Sequence, residues 1–134
     1  MSEENVEVVR KIIEAFNRHD PDLFASYVAP GGEADWSDSI APYRGVYRGP
    51  DEWKAWLRLR LDAWRDAHWE PLELAELEQE LVLLVVRLIA QGRDSGIEVR
   101  ASSAVLWTIR DGKVVRAKLF QSKEEALEAA GLSE

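Results

Sequence analysis

The 134-residue chain has no cysteine, one methionine and two histidines. Without thiols there is no disulfide framework, no thiolate nucleophile and no cysteine-ligated metal. His19 and His68 stand far apart, with neither HxH nor HxxxH spacing, so no metal site and no cofactor are expected. Basic residues are in the minority, 17 Lys and Arg against 25 Asp and Glu, for a net charge of −8. Such a surface repels phosphate backbones and anionic membranes, and no basic stripe offsets it, so neither nucleic acid nor membrane is an expected partner. The longest apolar run, 81–86, stops at Arg87 and falls far short of the ~20 residues that cross a bilayer. The acidic opening Met1-Ser2-Glu3-Glu4 leads directly into an amphipathic pattern. No secretory signal is therefore expected, and a cytoplasmic location is the default. No GxGxxG, P-loop or Gly-x-Ser-x-Gly sequence is present.

What the chain does have is periodicity. Val6, Val9, Ile12, Ile13 and Phe16 recur at helical spacing. Asp20-Pro21 reads as a cap followed by proline at the first helical position, opening a short helix over Leu23, Phe24, Tyr27 and Val28 that Pro30-Gly31-Gly32 stops. A short strand is expected over 34–38, then a loop over 39–49. Pro50-Asp51-Glu52 opens a third helix whose apolar face carries Trp53, Trp56, Leu57, Arg60, Leu61 and Trp64. The period then changes to two, predicting strands near 68–77, 81–91, 97–110 and 113–120. Asp111-Gly112 marks a tight turn between the last pair. Ser122 with Glu125 forms a capping box for a final short helix, ended by Gly131. With no repeats and no linker, the chain reads as one domain over 1–134: α+β, an antiparallel sheet with helices on one face. The 81–90 strand is apolar on both faces. Its second face needs a cover, and a homodimer through the outer sheet surface is the expectation.

Two features point to chemistry. Six tryptophans in so short a chain supply large apolar surfaces for a core or a pocket. Trp36-Ser37-Asp38 places a carboxylate among aromatics, where lost hydration raises its pKa towards that of a general base. Alternatively, Asp38 caps a turn before Ser39 and Pro42. Trp36 shares strand parity with Asp38, and Trp107 alternates with Ser103 and Val105 on one strand face. These residues, with Tyr47, Trp53 and Trp56, are the candidate pocket wall, while Trp64 and Trp69 read as packing. Arg87 either bends outward into solvent, pairs with a carboxylate across a dimer interface, or enters the pocket to bind a polar group.

The stretches Val8-Val9-Arg10 through Ala15-Phe16-Asn17-Arg18-His19-Asp20, Trp36-Ser37-Asp38, Tyr47-Arg48-Gly49, 107–115 and Lys123-Glu124-Glu125-Ala126-Leu127 span essentially the whole chain. In order and spacing they resemble the SnoaL-like and ketosteroid isomerase-like members of the nuclear transport factor 2-like superfamily. The resemblance implies a cone-shaped curved sheet wrapped around N-terminal helices, with one internal pocket, a short C-terminal helix and frequent dimerisation. The superfamily includes isomerases, polyketide cyclases, epoxide hydrolases, dehydratases and members without catalytic activity, so the fold leaves the function open. The position of the isomerase's general base matches Asp38. Its two oxyanion donors fall on Ile12 and on or near Val105, which cannot donate a hydrogen bond, so authentic ketosteroid isomerase activity is not expected. Arg87-Leu88-Ile89 keeps the arginine of the Arg-x-Asp arrangement of limonene epoxide hydrolase-like members and lacks the acid. The stretch 113–120 lacks the late-strand acid of SnoaL-type cyclases. The resulting expectation is a dimer that binds a small hydrophobic molecule in an aromatic pocket, with Asp38 available for isomerase-, cyclase- or dehydratase-like proton transfer. The alternative is a dimeric binding or interaction module with a filled core and no catalysis.

Overall fold

In a computed structural model, which describes residues 2–39, 45–78 and 80–131, helix α1 spans Ser2–Asn17. It buries Val9, Ile12, Ile13 and Phe16, one stripe of a 3.6-residue period. His19 ends the turn with a left-handed φ of 57°. Asp20 then caps α2 (Pro21–Ala25), its carboxylate accepting the Leu23 N–H at 3.1 Å. This helix is shorter than its pattern predicts. Strand β1 (Val28–Asp35) begins at once and runs through Pro30-Gly31-Gly32, where the register against its neighbour shifts. The expected helix stop is instead an irregularity within a strand. Gly32 is there for space: a Cβ would meet the Val114 carbonyl oxygen at 2.6 Å.

Strand β2 (Val46–Arg48), helix α3 (Gly49–Ala63), β3 (Trp64–Glu78), β4 (Leu81–Gly92), β5 (Glu98–Arg110), β6 (Lys113–Phe120) and α4 (Lys123–Ala129) follow. Residues 40–44 of the expected loop lie outside the described residues. The six strands form one sheet in the order β2-β1-β6-β5-β4-β3, curved around α1–α3 without closing. Asp111 and Gly112 join β5 to β6, both at positive φ, 54° and 76°, as a type I′ hairpin requires. One pair departs from the expected antiparallel order: β1 runs parallel to β6. No helix among the described residues is long and apolar enough to cross a membrane.

The two faces of β4 have different covers. Val82, Leu84, Val86, Leu88 and Ala90 join α1 and α3 in the main core, while Leu83 packs with Ala104, Leu106 and Ala126. The outer face is therefore not bare, as its pattern implies. The Ser122 hydroxyl accepts the Glu125 N–H at 3.1 Å and turns α4 back onto it. Further along β4, Val85 and Ile89 stay half-buried. At the opposite edge of the sheet, Asn17 ties α1 to β3. Its amide donates to the Trp69 carbonyl at 3.0 Å, and its oxygen accepts the Trp69 N–H at 2.7 Å.

Candidate functional site

Helix α3 builds one side of the site. Its buried stripe is Trp53, Trp56, Leu57 and Arg60, a spacing of three, four and seven that places a cation among indoles. The Trp53 indole N–H donates to the Gly32 carbonyl at 3.0 Å, fixing α3 on β1. The next turn carries Trp56, whose ring centroid lies 5.3 Å from that of Trp36, just past the end of β1. The Arg60 guanidinium carbon sits 5.0 Å from the Trp56 ring centroid, and the residue is only 4% exposed. A cation over an indole face is attracted by the ring quadrupole, most strongly when water is excluded.

Opposite α3, the inner faces of β3, β4 and β5 contribute Trp69, Val86, Leu88, Ser103 and Val105 to a pocket that Ser39, Ser102, Leu119 and Gln121 also border. Its interior holds ≈ 50 Å³, and with the solvent-filled mouth the empty space reaches ≈ 620 Å³. The inner volume takes a few waters, well under the about 300–1,000 Å³ of ligand pockets. The difference is indole. Phe16, Trp36, Trp53, Trp56, Trp69 and Trp107 form a connected chain of rings across the cone. Arg60 and the tryptophan indoles can only donate hydrogen bonds, whereas Ser39, Ser102, Ser103 and Gln121 can both donate and accept. Arg60 supplies the charge, and the buried indole N–H groups of Trp36 and Trp56 have no partner among the described residues. No Asp, Glu or His is among the described lining residues.

The structure brings together Trp36, Trp56, Ser103 and Val105 of the expected wall. It places Tyr47, Trp53 and Trp107 elsewhere: Trp53 and Trp107 are core residues without exposure, or nearly so, and Tyr47 packs against the main cluster. Arg87 turns away from the pocket and pairs with Glu70 on the adjacent strand at 3.0 Å, within the same chain. Asp38 also lies outside the wall. Its side chain is 58% exposed, 3.3 Å from the Lys118 ammonium. The shared parity with Trp36 fails because β1 ends at Asp35 and the Ser39 N–H closes a turn onto the Trp36 carbonyl at 3.0 Å. The backbone reverses before the alternation reaches Asp38, and its carboxylate joins the outer sheet surface.

Near the site, the carboxylate with an altered affinity for its proton is Asp35, again on that outer side; Asp22, beside Lys54 on α3, is lowered as well. Burial pushes the Asp35 pKa up, but hydrogen bonds from the Ser37 hydroxyl and N–H, at 2.6 and 3.1 Å, and the nearby Lys118 ammonium outweigh it. The carboxyl is held below its ordinary value of 3.8. Arg60 and Trp69, with Val86, Leu88, Leu119 and Gln121, are among the pocket residues that pattern alone passes over. The available signal was a guanidinium on an otherwise apolar helical stripe.

A model of the SnoaL-like domain matches residues 9–117. The chain belongs to the SnoaL-like family. Solved structures agree on the fold of this SnoaL-like chain. A protein with a ketosteroid isomerase-like fold from Catenulispora acidiphila, in complex with trimethylamine, is 14% identical, with 94% of this chain and 93% of that one covered and a TM-score of 0.77. TerC co-crystallized with polyporic acid is 19% identical, with 93% and 96% covered and a TM-score of 0.75. An NTF2-like protein from Burkholderia thailandensis is 25% identical, with 96% and 95% covered and a TM-score of 0.73. Relatives of the family include polyketide cyclases and isomerases. No curated protein matches this chain.

Proposed function

We propose that this SnoaL-like protein binds a small, largely apolar molecule between α3 and the inner faces of β3–β5. The observation that carries this reading is the composition of the pocket: three indole rings and an aliphatic wall around a space open at one end. Apolar area removed from water contributes roughly 25 cal/mol per Å², and indole faces add stacking with a planar ligand. Small molecules accompany two of the structural neighbours, trimethylamine in one and polyporic acid in the other.

The geometry favours binding over proton transfer by Asp38. A general base must come within hydrogen-bond reach of the proton it removes, and Asp38 is exposed beside Lys118. The one ionisable side chain in the described wall, Arg60, stays protonated and cannot serve as a base. Titration of intrinsic tryptophan fluorescence with neutral steroids, polyketides and terpenoids tests the reading. Saturable quenching is expected for at least one class, and its loss is expected in Ser103→Phe, which fills the space with the fold kept by circular dichroism. A flat response across the panel refutes ligand binding and favours the filled-core alternative. For assembly, we propose self-association through the outer face around the half-buried Val85 and Ile89. Sedimentation at micromolar concentration is expected to give a dimer; a monomer there refutes it.

A further inference from the structure

We infer that the ligand carries a neutral hydrogen-bond-accepting oxygen on its ring system, a ketone carbonyl, and that Ser103 is the residue that selects it. The inference rests on the binding reading above and specifies its chemistry. Ala101, Ser103 and Val105 alternate along β5 on the pocket side, and of the three only Ser103 is polar. It pairs across the ladder with Val86, another wall residue. Its hydroxyl makes no hydrogen bond to another described residue, and the side chain is half-buried. The other polar side chains of this margin are placed differently. The Gln121 amide donates to the Asp38 carbonyl, and Ser102 has the opposite strand parity, exposed and paired with Arg87. A half-buried hydroxyl without a protein partner exchanges a water for a ligand oxygen at little loss, whereas an apolar atom set against it forfeits a hydrogen bond. A second observation gives the sign of the group. Trp36 and Trp56 border the same space, and their indole N–H groups are buried with no partner among the described residues, although the Trp53 indole donates to the Gly32 carbonyl. Those of Trp64 and Trp107 lack a partner as well, outside this wall, so the indoles indicate an acceptor while Ser103 fixes its place. An indole N–H only donates, and a serine hydroxyl can donate too. A carbonyl oxygen offers lone pairs to such groups and brings no donor of its own, while the ring that carries it stacks on the indoles. A hydrocarbon ligand satisfies none of them.

The test is a matched pair, 2-acetylnaphthalene and 2-isopropenylnaphthalene, titrated against the full chain by tryptophan fluorescence and by calorimetry at pH 7. The two share ring and shape, and a CH2 group replaces the ketone oxygen in the second. Their affinity ratio is divided by the ratio of their water-to-cyclohexane transfer constants, because cyclohexane offers no hydrogen bond. A merely apolar pocket then gives a value near unity. A preference of at least about fivefold for the ketone is expected, the equivalent of a neutral hydrogen bond. Ser103→Ala is expected to reduce that preference through weaker ketone binding, with alkene affinity nearly unchanged. In proton–nitrogen correlation spectra, the indole N–H signal of Trp36 or Trp56 should move downfield with the ketone and not with the alkene. A corrected ratio near unity in the wild-type protein overturns the carbonyl anchor and leaves the apolar pocket standing. Binding of neither compound overturns both. An unchanged ratio in folded Ser103→Ala overturns the assignment to Ser103, and indole signals that respond identically to both compounds overturn the part given to Trp36 and Trp56. Because the wild-type comparison decides the matter first, failure of the variant to fold does not shield the inference.

Discussion

Replacing Asn17 with alanine removes both hydrogen bonds that hold the end of α1 against the free edge of β3, at 3.0 and 2.7 Å. Each is partly buried, and a typical intramolecular hydrogen bond contributes about 1 kcal/mol net, so the direct loss is about 2 kcal/mol. Alanine favours helix over asparagine by about 0.6 kcal/mol, which offsets part of it. The expected cost is therefore about 1.4 kcal/mol. At an unfolding entropy of about 2.1 cal/mol/K per residue, the chain should melt about 5 °C lower. Trp69 stacks on Phe16 with ring centroids 4.2 Å apart and planes 9° from parallel, so loosening its backbone should also weaken the near-ultraviolet dichroism of the aromatic cluster. The assay is a thermal melt followed at near- and far-ultraviolet wavelengths, with Arg18→Ala, an exposed neighbour, as control. The control should shift by no more than about 0.5 kcal/mol in stability. If Asn17→Ala melts within about 1 °C of wild type with an unchanged near-ultraviolet spectrum, the clamp contributes nothing and the reasoning fails.

Asp38→Asn should leave ligand affinity unchanged and stability within about 1 kcal/mol, as befits an exposed ion pair; loss of binding in titrations would return Asp38 to the site. Asp35→Asn should destabilise the protein at pH 7. Its folded pKa is lowered from 3.8, so its contribution is complete above that value and disappears as pH falls through the lower folded one. Urea unfolding should show the gap between Asp35→Asn and wild type closing below pH 3.8, and a gap that widens there refutes the assignment. Gly32→Ala drives a methyl against Val114 backbone oxygen at 2.6 Å and should cost about 1–3 kcal/mol in chemical denaturation, the usual range for overpacking. Unchanged stability would mean that β1 and β6 separate easily there.

Most of the architecture can be read locally. The Val9–Phe16 stripe, the Asp20-Pro21 cap and the Asp111-Gly112 turn each act within a few residues, so helix and hairpin positions follow from them. Elements that depend on distant partners do not. β2 is three residues long and exists through pairing with β1, and no local pattern announces the parallel contact of β1 with β6. For the pocket, alternation along β5 correctly groups Ser103 with Val105, because a regular strand keeps its parity. Counting past the end of β1 misplaces Asp38, because a single turn resets the alternation. Trp53 and Trp107 show a different limit: ring size marks a residue as interior, while its depth in the cone depends on the curvature of the whole sheet.

The interior of this cone is assembled from a handful of broad, rigid plates instead of many slender side chains. Trimming a valine or leucine alters the hollow by a methyl or two, whereas exchanging one indole for a phenyl opens a whole slab of space at a stroke. Selectivity on such a scaffold should therefore change in coarse steps, by aromatic exchange at positions 36, 56 and 69, with the surrounding aliphatic frame left in place.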